Sequence, residues 1–79
     1  MDKSAEIKKL AERIRSLRLK KGYSSYENFA YDIGIHRAQY GRYEMGTDMQ
    51  YTSLVKIAKA FDMTLEEFFG EGFDWDRIK

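Results

Sequence analysis

Apolar residues recur at steps of three and four along most of this 79-residue chain, the spacing of helices that bury one face. Ile7, Leu10, Ile14 and Leu17 predict an amphipathic helix over 5–20, with Ser4 as its N-cap and Lys20, Lys21 and Gly22 as its stop. Ser25 caps a second helix whose inward stripe is Phe29, Ala30 and Ile33, and Gly34 ends it with Ile35 turning back to the core. His36 stands where a third helix begins, running to about Met45 with Gly46 beyond. Tyr40 and Tyr43 face inward on it, while Arg37, Ala38, Gly41, Arg42 and Met45 share the opposite side. Gly41 costs about 1 kcal/mol against alanine inside a helix, so something other than helix propensity accounts for it. A fourth helix over about 52–61, opening at Gln50 or Thr52, buries Leu54, Ile57, Ala58 and Phe61. Thr64 and Glu67 form a capping box, and Met63 with Phe68 a hydrophobic staple, for a short fifth helix over 65–69.

The pattern predicts an all-α, compact five-helix architecture with a helix-turn-helix at 25–46. One domain spans 1–79, with a core of about 5–69 and a C-terminal aromatic tail over 70–79. In that tail Phe73, Trp75 and Ile78 either close the core or meet a partner.

Composition narrows the chemistry. The chain has no cysteine and a single histidine, which argues against disulfides and metal sites; no cofactor is expected. No apolar run approaches membrane-spanning length and the start is too polar for a secretory signal, so a cytoplasmic protein without a membrane partner is expected. The net charge is only +1 but it is unevenly placed. Residues 1–21 carry eight Lys and Arg against three Asp and Glu, and residues 51–79 carry four against six. A basic first helix would favour association with phosphates. No nucleophile constellation, phosphate loop or metal cluster is present, so no catalytic residue is assigned and the chain is not expected to be an enzyme. No small-molecule effector site is evident.

A set of residues then lines up with a known pattern: Ile14-Arg15-x-Leu17-Arg18, Gly22, Phe29-Ala30, Ile33-Gly34-Ile35, Arg37, Tyr40, Arg42, Tyr43-Glu44-x-Gly46, Leu54-x-x-Ile57-Ala58-x-Ala60-Phe61 and Leu65-x-x-Phe68-Phe69. Over about 7–69 the chain resembles the Cro and phage-repressor (XRE) family of helix-turn-helix DNA-binding domains. The resemblance implies a lambda-repressor-like fold and a sequence-specific transcriptional regulator, a repressor or other regulator in a prokaryotic cytoplasm, associated with the nucleoid. Its third helix would read the major groove of double-stranded DNA, with Arg37, Ala38, Gly41 and Arg42 as base contacts. Ser25, Tyr26, Gln39, Met45 and Thr47 would contact the DNA backbone, and Arg18 with Glu44 would form a buried ion pair. A homodimer on a palindromic site is implied, with Phe69, Phe73, Trp75 and Ile78 as candidate dimer contacts. The alternative is an antitoxin-like or adaptor module that keeps the fold and binds a protein partner. The chain departs from the family pattern in three places: one extra residue before Ser25, Tyr26 in place of the usual Gln, and a loop at 47–50 without the usual proline and basic residue.

Overall fold

The computed structural model describes residues 1–73. Five helices follow one another: α1 (Lys3–Lys20), α2 (Tyr26–Ile33), α3 (Arg37–Met45), α4 (Tyr51–Ala60) and α5 (Leu65–Phe69).

Local chemistry sets most of the boundaries. Helix α1 begins two residues before the expected start because Asp2, not Ser4, is the cap. One Asp2 carboxylate oxygen accepts from the amides of Ser4 at 3.0 Å and Ala5 at 3.4 Å. A carboxylate there satisfies two orphan donors and places negative charge at the positive end of the helix, which a serine hydroxyl does not. At the other end Gly22 takes a left-handed φ of 104°, and the amide of Tyr23 donates to the carbonyl of Arg18. Helix α4 starts at Tyr51 after Gln50, whose side chain makes no cap, and Phe61 closes it as the C-cap. Helix α5 has both arms of the capping box, Glu67 amide to Thr64 Oγ1 at 3.1 Å and Thr64 amide to Glu67 Oε1 at 2.9 Å.

Ile14, Leu17, Phe29, Ala30, Tyr40, Tyr43, Leu54, Ile57, Ala58 and Phe68 form one buried cluster drawn from all five helices. Phe29 is its hub. Its ring meets Tyr40 edge-on at 5.3 Å, stacks on Phe61 at 5.0 Å and takes the edge of Tyr23 at 5.1 Å. The start of the second helix is thereby tied to the first turn, the third helix and the end of the fourth.

Two buried residues of α1 are cationic. Arg13 and Arg18 are 7% and 5% exposed, so neither contributes to the basic outer surface expected of this helix. Arg13 reaches α5: its Nε donates to the carbonyl of Phe68 at 2.7 Å, one terminal nitrogen to the carbonyl of Glu67 at 3.1 Å and the other to Glu71 at 3.2 Å. Its guanidinium also lies 5.6 Å from the centre of the Phe68 ring.

Candidate nucleic-acid interface

The turn between α2 and α3 is built by three local devices. Ser25 Oγ accepts from the amide of Asn28 at 3.3 Å and opens α2. Gly34 ends the helix at a left-handed φ of 74°, where a β-carbon is disfavoured, and the amide of Ile35 donates to the carbonyl of Ala30 at 3.0 Å. His36 then caps α3, its Nδ1 accepting from the amide of Ala38 at 3.3 Å. Lys56 of α4 closes the turn from outside by donating to the carbonyl of Gly34 at 2.9 Å. Nothing in the local pattern of α4 signals that clamp, because it is a contact between helices 22 residues apart.

Helix α3 is held from beneath. Tyr40 and Tyr43 are buried at 0% and 5% exposure, the inward pair the spacing predicts. The Tyr43 hydroxyl accepts from the Gln39 amide at 2.6 Å and donates to Ser53 at 3.4 Å. Arg18 and Glu44 form a two-pronged pair, Nε to Oε2 at 2.8 Å and the second nitrogen to Oε1 at 2.9 Å, with both side chains buried. The third nitrogen of Arg18 donates to the carbonyl of Tyr23 at 2.7 Å. The hydrogen bonds it donates to the Glu44 carboxylate raise the Arg18 guanidinium above its ordinary value. Burial, with Glu44 nearby, pushes the Tyr40 phenol up as well. The Tyr40 hydroxyl nevertheless makes no hydrogen bond of good geometry among the described residues.

Arg37, Ala38, Arg42 and Met45 are exposed along the outer side of α3. Gly41 is not among them. It is buried against α2, and a β-carbon there would stand 2.7 Å from Cε1 of Tyr26. Its conformation is ordinary helix, so its reason is space for the Tyr26 ring and not backbone freedom. The outward face drawn from spacing alone therefore loses one member, since a helical repeat sees only its own helix. Tyr26 itself is 37% exposed and stacks on Tyr40 at 6.5 Å.

The residues expected at the DNA backbone differ in what they have to offer. Ser25 donates its hydroxyl to Glu27 at 3.1 Å while accepting from Asn28, and the Gln39 amide is engaged with Tyr43. Met45, the last residue of α3, and Thr47, just beyond it, are exposed, Met45 at 88%. Arg15 and Lys8 of α1 lie along a groove with Met45 and Gly46, which puts cations beside the end of α3. Phe69 and Phe73 are half-buried and packed on Phe68, with ring centres 5.1 Å and 6.2 Å from it and 4.9 Å from each other. They pack against the margin of the core. Trp75 and Ile78 lie outside the described residues.

Two short helices around a left-handed glycine, the second capped, pinned by a buried ion pair and carrying free arginines outward, are the parts of a DNA-reading unit. The family model for helix-turn-helix proteins matches residues 14–68. The chain belongs to the Cro/C1-type helix-turn-helix (XRE) family. Neither a curated protein nor a solved structure matches it. XRE-family membership makes the chain a DNA-binding regulator of that kind, in a family that is not typically enzymatic. Among the described residues no helix is long and apolar enough to cross a membrane, and no cluster of ligands fit to hold a metal occurs.

Proposed function

We propose that this protein is a sequence-specific regulator that reads the major groove of double-stranded DNA with α3, as a homodimer on a palindromic site. The observation that carries the reading is the pair of exposed arginines, Arg37 and Arg42, on a helix whose other side is immobilised by Tyr40, Tyr43 and the Arg18–Glu44 pair. An arginine on a fixed helix can donate two bonds to O6 and N7 of guanine, a pattern no other base offers in that groove. Ala38, exposed beside them, suits a thymine methyl. Thr47 offers its hydroxyl at the end of the helix, and exposed Lys8 and Arg15 add attraction for phosphates.

A single unit with so few base contacts distinguishes few sites, and a two-fold pair of units doubles them. Phe69 and Phe73, which line a shallow apolar groove with Met1, Ile7 and Leu10, are the surface offered to a second copy. Selection of bound sites from a random duplex library tests the whole reading. Palindromic sites with guanine in each half are expected, with binding that falls steeply as salt rises. Arg37→Ala and Arg42→Ala should each weaken binding to the selected site by about ten- to a hundredfold. Absence of any salt-dependent DNA binding, together with co-purification of a protein partner, would instead establish the adaptor alternative.

A further inference from the structure

Position 41 of α3 is a place on the reading face that its own residue does not fill. On a wheel of about 100° per residue, Gly41 lies about 40° from Arg37 and about 40° from Met45, inside the arc that runs from Arg37 to Arg42. The phenol of Tyr26 occupies that place: measured to an ideal β-carbon on Gly41, Cζ is 3.2 Å away and the hydroxyl 3.3 Å. The ring is fixed by its stacking on Tyr40, and among the described residues no hydrogen bond engages its hydroxyl.

We propose that Tyr26, although carried by α2, is a base-reading residue, its hydroxyl standing on the recognition surface where a side chain of residue 41 would stand. Gly41 is the positioning residue that admits it. The hydroxyl donates to an acceptor on a base edge, N7 or O6 of a purine or O4 of thymine, next to the bases under Arg37 and Arg42. A phosphate is the poorer partner for two reasons. The hydroxyl lies over α3 and not off the end of α2, and the carboxylate of Glu27, bonded to Ser25, places negative charge at that end. Any side chain at 41 would evict the ring, so the glycine and the tyrosine act as a pair.

The proposal rests on the DNA-binding reading above, and the test separates the two. The full chain, as wild type, Tyr26→Phe and Gly41→Ala, is taken through selection from a random duplex library, with thermal unfolding of each protein as a control. Tyr26→Phe keeps the ring and the packing. It should unfold like the wild type, lose preference at one base-pair position in each half-site, and bind the wild-type site about three- to tenfold more weakly. Gly41→Ala should lose preference at that same position, because its β-carbon displaces the ring. With Tyr26→Ala in place, Gly41→Ala should raise the melting temperature, because the clash is gone and alanine is the better helix former. Uniform weakening of all sequences by Tyr26→Phe would assign the hydroxyl to a phosphate and overturn the proposal. An unchanged preference and affinity would also overturn it, leaving the arginine reading intact. A wild-type chain that selects no sequence sinks both.

Discussion

Helix α1 buries two arginines five residues apart, and they are satisfied in different ways. Arg18 meets a carboxylate that is as buried as itself, with side-chain exposures of 6% and 8%. Arg13, equally buried at 6%, meets two backbone carbonyls of α5 and a carboxylate, Glu71, that is 72% exposed. Each guanidinium uses three nitrogens. What a buried arginine needs is acceptors for its N–H groups; a buried counter-charge is one way to supply them and carbonyls at a helix end are another. The two joints should therefore fail differently. The one under α3 rests two of its three hydrogen bonds on a single carboxylate, whereas two of the three in the joint holding α5 go to backbone carbonyls that no substitution removes.

The largest effect is expected at Glu44. Glu44→Ala leaves Arg18 buried without its counter-charge, and removal of one partner of such a pair costs about 3–5 kcal/mol, a large part of the stability of a domain this size. Thermal or urea unfolding measures it. Replacing both members, Arg18→Met with Glu44→Leu, should recover most of that loss, because the desolvation of both charges disappears along with their attraction. A double variant as unstable as Glu44→Ala would show that the pair contributes shape at this joint and not only charge.

The second joint should lose less and lose it in unequal parts. Arg13→Ala removes hydrogen bonds to the carbonyls of Glu67 and Phe68 and the contact with the Phe68 ring, for about 1.5–3 kcal/mol. Glu71→Ala removes only the exposed partner and should cost no more than about 0.5 kcal/mol. If Glu71→Ala matched Arg13→Ala, the carboxylate and not the carbonyls would be holding the arginine.

How much of this was legible in the sequence follows the range of each interaction. Ser25, Gly34, Gly46 and the Thr64–Glu67 box act within one turn of helix, and the boundaries they predict stand where they were expected. Asp2 is also local, but Ser4 two residues later is an equally good cap type, and only the carboxylate's reach to two amides decides between them. The inward tyrosines of α3 follow from a single helix's spacing. Gly41 and Arg13 do not. The glycine is explained by a ring on another helix, and Arg13 looks like Lys8 or Arg15 until α5 is packed over it. A signal for Arg13 did exist: it stands three residues after Leu10 and four before Leu17, within the apolar stripe. A cation in that stripe must find acceptors inside the fold, and only the tertiary arrangement says which.

The smallest effect is expected where the α5 joint responds to pH. The carbonyls that hold Arg13 do not titrate, but the cap that starts α5 does. Hydrogen bonds from the backbone amide and hydroxyl of Thr64 hold the Glu67 carboxyl below its ordinary 4.5. A lowered value in the folded state contributes stability that is fully present above the ordinary value and is lost as pH falls through the folded one. Acidification below about 4.5 should thus loosen the first turn of α5. The difference in melting temperature between wild type and Glu67→Gln, followed from neutral pH down to pH about 3, isolates this contribution from the other carboxylates. The gap should narrow on acidification, since a protonated Glu67 and a glutamine are then alike in charge. The same narrowing should persist in an Arg13→Ala background if the two ends of α5 are held independently. Its disappearance there would mean that the cap and the arginine act as one unit, and that the α5 joint is more like the Arg18–Glu44 joint than its separate acceptors suggest.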